Sequence, residues 1–312
     1  MTSTALVEAR PAPVVAVDLS CLLEAFFAGR RERTIAAYRA DLEDFRAFGG
    51  AATIGEASSR LVSGSHGEAN AAAIAYKAHL TARRLQAATI NRRLAALRSL
   101  VKLANTLGLV SWTLAVENVK TQAYRDTRGP GLDAYKALLA VAQAQPGTKG
   151  LRDVALLRLL RDLGLRRGEA VRLDVSDLDL SGNRIMVLGK ARSQKEPVTL
   201  PEPTKAALEA WLQARGTEKG PLFVNFDRAG KGGRLTGSAV YFIVRELGTK
   251  AGLTVRPHGL RHLAITSALD LTKGDLRAVQ KFSRHKDVRV LNIYDDNRQD
   301  LAGDVARLVA GA

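Results

Sequence analysis

The segment RPHGLRHLAIT, residues 256–266, puts two histidines and an arginine within five residues, at His258, Arg261 and His262. A metal site would need carboxylate or further histidine ligands at suitable spacing, and this segment has none. Three basic side chains that converge suit a phosphate better, because arginine offers a planar fork of donors that matches phosphate oxygens. For this segment alone, a helix start with a solvated arginine and a capping histidine remains the alternative.

Length and composition narrow the class of protein. A chain of 312 residues can form one large domain or two ordinary ones, and an apolar fraction of 46% supports a sizeable core. The net charge of +16 favours a polyanionic partner, with nucleic acid ahead of an anionic membrane surface. A basic protein without such a partner stays open on charge alone.

Cysteine usage and the N-terminal sequence bear on the compartment. Cys21 is the only cysteine, which excludes an intrachain disulfide and fits a reducing cytoplasm, and we expect it to be a small buried residue. Glu8, Arg10 and two prolines interrupt residues 1–17, so we predict no signal peptide. The sequence has no uninterrupted apolar run of about 18 residues. We therefore expect a soluble, cytoplasmic protein with no membrane partner.

Helical spacing dominates residues 17–112, after a flexible arm predicted for residues 1–16. Apolar residues recur at three- and four-residue steps from Thr34, a candidate N-cap, to Gly49 and Gly50. A loop rich in glycine and serine is predicted next, then an alanine-rich helix near residues 68–84 and a longer helix near residues 89–110. We expect a small helical DNA-binding domain.

The last of these helices carries a basic face. Four cations lie away from its apolar stripe: Arg92, Arg93, Arg98 and Lys102. A helix of this kind can enter the major groove of DNA and contact phosphates, so we take the four residues as DNA-binding candidates. An ordinary solvated helix face is the alternative.

Residues 113–131 lose helical periodicity and end in Gly-Pro-Gly, which predicts a linker. Residues 132–312 resume helical spacing, interrupted by two β-rich runs, residues 184–190 and 196–201, around the polar turn 191–195. We predict a mainly α protein with a small antiparallel β-sheet (α+β), formed by an N-terminal helical domain and a C-terminal domain.

Six residues suited to phosphate chemistry follow one another in this second domain. In chain order they are Arg166 of a Gly-Leu-Arg turn, Lys190 after the first predicted strand, His258, Arg261, His285 and, nine residues later, Tyr294. Each has an ordinary alternative, such as a surface charge or a half-buried core aromatic. Their order and spacing resemble the tyrosine recombinase family, also called phage integrases, and most closely its bacterial Xer-type members. The resemblance covers residues 130–300 by motif and the N-terminal region by architecture only.

This resemblance implies a site-specific DNA recombinase. Tyr294 would be the nucleophile and would form a covalent 3′-phosphotyrosine. Arg166 and Arg261 would stabilise the negative charge that builds on the phosphate oxygens. His258 and His285 would add hydrogen bonds, and His258 is also a candidate acceptor of the phenol proton.

The resemblance also assigns an acid and two supporting residues. Lys190 would protonate the departing 5′ oxygen, while Glu169 and His262 would support the site. The turn after Lys190 is one residue longer than the commonest family pattern, so Lys195 is a competing candidate for the acid. Residues 282–285 read Phe-Ser-Arg-His where Leu-Gly-His is more usual, a change that alters the loop and keeps the histidine.

The implied reaction proceeds through a Holliday junction without metal, cofactor or ATP, as in integration, excision, resolution or transposition of DNA. The two domains would form a C-shaped clamp on double-stranded DNA, and four copies would form a homo-tetramer. The amphipathic helix in residues 298–310 would exchange between protomers, with packing on its own domain as the alternative. An accessory protein or a second recombinase stays open, and the protein would act at the nucleoid.

Two rival functions make different predictions. A catalytically silent DNA-binding or architectural protein would bind DNA without ever forming a covalent adduct. A type IB topoisomerase-like enzyme would relax plasmid DNA without a specific site or synapsis. The two-domain size and the Xer-like spacing favour recombination.

Overall fold

A computed structural model of the chain describes residues 21–120, 130–189, 192–227, 230–294 and 301–311. The chain divides into two compact units, Met1–Ala123 and Tyr124–Ala312. The arm predicted for residues 1–16 lies outside the described residues, as does the stretch 121–129 of the predicted linker.

The described part of the first unit is helical. Its helices are α1 (Leu22–Phe27), α2 (Glu32–Phe48), α3 (Ile54–Ser63), α4 (His66–Ala82) and α5 (Ala87–Thr106). The apolar stripe of α5 faces the core, where Ile90, Leu94, Leu97 and Val101 are buried. Burial of this stripe stabilises the unit, because the hydrophobic effect scales with the apolar area removed from water.

The segment after Gly50 is helix α3, so the loop predicted there is wrong. The Thr53 hydroxyl accepts a hydrogen bond from the N–H of Glu56 (3.1 Å) and caps the helix start. Leu61 and Val62 then bury an apolar face against the unit's core. A cap and a buried face together outweigh the glycine and serine content that favoured a loop.

Two further expectations, the N-cap at Thr34 and the burial of Cys21, are wrong. Thr34 lies inside the first turn of α2, whose N-cap is Arg31. Cys21, expected to be buried, is exposed. It stands just before α1, and from that helix only Leu22 and Phe26 are buried.

The second unit is also mostly helical. Its helices are α6 (Gly131–Ala144), α7 (Gly147–Asp162), α8 (Arg167–Ala170), α9 (Glu202–Arg215), α10 (Gly237–Lys250), α11 (Pro257–Leu271), α12 (Leu276–Ser283) and α13 (Leu301–Ala310), with 3₁₀ turns at Val175–Asp177 and Val288–Ile293. None of the described helices combines the length and the apolarity that crossing a membrane requires. Helix α7 packs against α6, α9 and α11, which makes it the central element of this unit.

A small antiparallel sheet completes the second unit. Strands β1 (Leu178–Asp179), β2 (Arg184–Leu188) and β3 (Lys195–Thr199) pair in that order, and Leu188 pairs with Lys195 across the hairpin. The hairpin follows the two predicted β-rich runs, and β1 is an additional short strand. The predicted fold class, mainly α with a small antiparallel sheet, is confirmed.

Replacement of Leu97 by alanine is expected to destabilise the protein by about 2–5 kcal/mol, because this fully buried side chain of α5 would leave a cavity. Denaturant unfolding followed by circular dichroism measures the change. The matched control is Ile74→Ala on α4, where the side chain is exposed and a shift within about 0.5 kcal/mol is expected. Equal effects of the two substitutions would contradict the assigned core.

Candidate active site

The Gly-Leu-Arg turn links α7 to α8. Gly164 has φ +55°, a conformation that favours glycine, and a Cβ there would lie 3.4 Å from the Phe282 ring. The turn brings Arg166 to the start of α8, where its backbone N–H and its guanidinium both donate to the Glu169 carboxylate, at 2.9 and 2.7 Å. The Arg166 side chain stays about a quarter exposed, at 27%. A solvent-borne anion can therefore reach this guanidinium.

Arg261 on α11 lies beside this turn and is only 2% exposed. Its Nη1 donates to the carbonyl oxygen of Gly164, and its Nη2 donates to the carbonyl of Ser283 at 2.6 Å. Burial and the neighbouring Arg166 lower the pKa of Arg261 to about 10, so the guanidinium remains charged at neutral pH. Three segments far apart in sequence thus meet at one cation.

The hydrogen bonds of His285 define its protonation state. Arg261 Nη2 lies 3.2 Å from His285 Nε2, and a guanidinium can only donate, so Nε2 accepts. The proton of the neutral ring then sits on Nδ1, which lies 2.9 Å from the hydroxyl oxygen of Ser283. That hydroxyl donates in turn to the carbonyl of Gln280 at 3.3 Å. In this structure the Nε2 atom faces the arginine as an acceptor.

The electrostatic surroundings keep His285 neutral. Burial, followed by the charges of Arg261, Arg166 and Arg284, lowers the pKa of His285 to about 4, while Glu169 acts to raise it. A further positive charge among these three guanidiniums would be unfavourable.

Tyr294 lies inside this cluster of its own subunit. It is 6% exposed, and its ring centroid lies 4.6 Å from the His262 ring and 5.7 Å from the His285 ring. Its aliphatic neighbours are Ile265, Val279 and Leu291. The negative charge of an ionised Tyr294 would raise the pKa of Arg261.

Glu169 is a buried carboxylate that links the cations. Burial acts to raise its pKa, but the backbone N–H of Arg166 and the charges of Arg284 and Arg166 outweigh burial and lower it. Arg284 Nη2 lies 3.4 Å from Glu169 Oε2. In the sequence, position 284 lies in the segment that departs from Leu-Gly-His, and only the tertiary structure places its side chain beside Glu169.

The two histidines of α11 differ in their surroundings. His258 is exposed on the first turn, three residues before Arg261, a spacing that puts both on one side of the helix. His262 is buried, and its ring packs against the Tyr294 ring. His262 thus supports the tyrosine by contact, whereas His258 lies where a bound ligand can reach it.

The two candidate acids are described unequally. Lys190 lies outside the described residues. Lys195 begins β3, and its ammonium forms an ion pair with the buried carboxylate of Asp177. Among the described residues, no group of three or more histidine, cysteine or acidic side chains could hold a metal ion.

Three of the four basic candidates of α5 have partners within the first unit. Arg92 bonds to the buried Asp41 at 2.5 Å, and Arg93 bonds to Asp44 at 2.8 Å. Burial raises the pKa of Asp41 even though both arginines act to lower it. Arg98 donates to the carbonyl of Val116 at 2.8 Å and to Asn118 at 2.7 Å, and Lys102 is exposed.

Comparison with known proteins identifies the family of this chain. The family model described as the phage integrase family matches residues 132–300. A tyrosine recombinase of Synechococcus elongatus is 42% identical over 78% of this chain and 78% of its own length. A tyrosine recombinase of Synechocystis is 41% identical over 78% of this chain and 80% of its own. The chain belongs to the phage integrase family and is a tyrosine site-specific recombinase.

Solved structures share the fold at low identity. The Tn1549 transposon integrase, in complex with transposon right-end DNA, is 15% identical, with a TM-score of 0.70 over 94% of this chain and all of the other. The XerH recombinase bound to a palindromic difH substrate is 19% identical, with a TM-score of 0.68 over 93% of this chain and 84% of the other.

The pKa of His285 can be measured by NMR titration of its ring protons, identified by their loss in His285→Asn. We expect a midpoint near pH 4 and a neutral ring above about pH 5. Because the folded-state pKa lies below the ordinary value of 6.5, the unfolded chain binds the extra proton first. The contribution of His285 to stability therefore falls as the pH drops from about 6.5 to about 4. A midpoint near 6.5 would contradict the acceptor role of Nε2.

Proposed function

We propose that this recombinase cuts DNA strands by attack of Tyr294 on the scissile phosphate. The attack would form a covalent 3′-phosphotyrosine, and the strands would rejoin through a Holliday junction. The observation that carries the proposal is that the Tyr294 ring packs on His285, whose Nε2 accepts a hydrogen bond from Arg261 in the same subunit. The proposed nucleophile and the proposed phosphate-binding cation therefore both lie beside His285 of the same subunit.

The charge of the cluster suits the transition state. A phosphodiester carries one negative charge, and attack on phosphorus adds to the charge on its nonbridging oxygens. Arg166 would contact the phosphate first because its side chain is partly exposed. The buried Arg261 would contact the phosphate from the interior of the site. Prealigned donors of this kind stabilise developing charge strongly in a site that excludes water.

The role of His285 requires a change of tautomer. As an acceptor from Arg261, its Nε2 cannot donate to a phosphate. An incoming phosphate oxygen is itself an acceptor and would take the Arg261 N–H, which leaves Nε2 favoured as a donor. His258, exposed one turn from Arg261, would supply a further hydrogen bond or accept the phenol proton.

Lys190 is the proposed acid for the departing 5′ oxygen. The competing Lys195 is engaged by the Asp177 carboxylate, which holds its ammonium as a structural ion pair. Strand exchange by transesterification conserves the phosphodiester bond energy, so the proposed cycle needs neither ATP nor a metal.

The proposed assembly is a homo-tetramer on two double-stranded DNA sites, with residues 17–112 and 132–312 clamping the DNA. Exposed Leu308 and Val309 of α13, at 74% and 71%, support exchange of this helix between protomers. Lys102 and Arg92 remain the best-exposed phosphate ligands proposed for α5, with Arg93 and Arg98 as further candidates. Such a protein would act in the cytoplasm at the nucleoid, in the movement, integration or resolution of DNA.

The Tyr294→Phe substitution is expected to lower the rate of covalent adduct formation by about 1,000-fold or more, because the nucleophilic oxygen is lost. The assay uses nicked suicide duplexes that tile the DNA flanking the protein's gene. DNA binding should remain, and it should weaken steeply with salt. Tyr241→Phe on α10 is the matched control and should react at the wild-type rate.

The possible results of this assay separate the three functions. Wild-type protein that binds DNA yet forms no adduct would support an architectural protein. Adducts without site preference, together with plasmid relaxation, would support a topoisomerase. Adduct formation that survives Tyr294→Phe would overturn the assignment of the nucleophile.

The general acid can be identified with a substrate whose departing 5′ oxygen is replaced by sulfur. A thiolate leaves without protonation, so this substrate should restore cleavage to Lys190→Ala, which is expected to be about 100-fold slower or more on ordinary DNA. Lys195→Ala is the matched control and should cleave both substrates alike. Selective rescue of Lys195→Ala instead would reverse the assignment.

A further inference from the structure

Arg284 adopts a backbone conformation that usually belongs to glycine. It ends helix α12 with φ +56° and ψ 38°, in the left-handed region. An L-residue with a Cβ is strained there, whereas glycine is not. The chain thus has a large side chain where glycine would be less strained, and the contacts of its guanidinium indicate what it does there.

That guanidinium joins the ends of two helices. It is buried and donates to the carbonyls of Leu163 and Gly164, each at 3.2 Å, beyond the last turn of α7. It also donates to the carbonyl of Phe282 at 3.0 Å, in the last turn of α12. Carbonyls at helix C-termini lack partners within the helix, and a cation is a favourable one.

Arg284 also shares one contacted group with each proposed phosphate-binding arginine. Through Glu169, 3.4 Å from its Nη2, it is linked to Arg166, which binds the same carboxylate. Through the carbonyl of Gly164 it is linked to Arg261, which donates to the same oxygen. Along the backbone it is directly followed by His285.

These contacts carry an electrostatic consequence. Among the described contacts of Glu169, Arg166 is its other cationic partner. If Arg166 alone compensated the Glu169 carboxylate, less of the positive charge of Arg166 would act on an anion that binds from solvent. With Arg284 sharing the carboxylate, a positive charge remains toward the partly exposed side of the cluster.

We infer that Arg284 is a positioning residue of the recombinase site: it ties the Gly164 turn to α12 and offsets the charge of Glu169, so that Arg166 acts fully on the phosphate. This inference rests on the proposed function. It extends that function to a residue outside the six-residue motif.

The experiment compares Arg284→Gly, Arg284→Gln and Arg284→Lys with the wild type. Gly relieves the backbone strain and removes the side chain, Gln keeps bulk without charge, and Lys keeps charge without the fork. Lys273→Gly is the matched control, because it also removes a cation from a left-handed position, φ +51°, on the surface. Thermal unfolding identifies the variants that fold, and Gln and Lys carry the test if Gly does not.

The first readout needs no DNA. NMR titration should show the pKa of His285 rising from about 4 toward 6.5 in the Gly and Gln variants, because one of the three cations that lower it is gone. Arg284→Lys and Lys273→Gly should leave it near the wild-type value. A residue that only fills space would not separate Gln from Lys.

The second readout is single-turnover adduct formation on a suicide substrate that the wild type cleaves. Arg284→Gly and Arg284→Gln should slow it by about tenfold or more at unchanged DNA affinity, with partial rescue in Arg284→Lys. Wild-type rates and an unchanged His285 pKa in folded Arg284→Gln would overturn the inference, as would a loss of stability alone. If the wild type forms no Tyr294-dependent adduct, the proposed function itself is wrong.

Discussion

The carbonyl oxygen of Gly164 accepts hydrogen bonds from two buried guanidinium groups, those of Arg261 and Arg284. This oxygen lies in the turn between α7 and α8, while the two donors come from α11 and from the end of α12. The site depends on this convergence, because it fixes the turn that carries Arg166 against the helix that carries Arg261. The positive φ of Gly164 allows the turn to approach both helices closely.

Concentrated positive charge is the second constraint. Three guanidiniums lie within one cluster, and burying cations is unfavourable unless hydrogen bonds and opposite charge compensate them. Helix-end carbonyls and the Glu169 carboxylate provide this compensation, and His285 stays neutral with a pKa of about 4. The surplus of positive charge makes the cluster a prepared site for an anion, which is the property that phosphoryl transfer requires.

The basic surface of the chain is less uniform than its net charge suggests. In the first unit, Arg92 forms an ion pair with Asp41 and Arg93 forms one with Asp44, and these pairs hold α5 against α2. Much of the positive charge of the two arginines is therefore compensated within the unit. A basic residue that a sequence pattern marks as a DNA-binding candidate can therefore have a packing role, a binding role or both. Lys102, on the same helix, is exposed to solvent, as Arg92 is.

Spacing predicted the long amphipathic helices, because a 3.6-residue apolar period follows directly from helix geometry. The β-rich runs around a polar turn predicted the β2–β3 hairpin. It missed α3, where a Thr53 cap and tertiary burial outweigh local composition. The order of the motif residues also identified the family, since the chemistry of each side chain is fixed by its type.

The sequence by itself thus determined the class of fold and the family, and it supplied the residues that are proposed to react. Only the tertiary structure decided that His285 accepts from Arg261, that Lys195 is held by Asp177, and that Arg284 lies beside Glu169. Those outcomes depend on distances between segments about 20 to 120 residues apart in the chain. Tautomers, ion pairs and charge compensation are properties of neighbours in space, which no local pattern specifies.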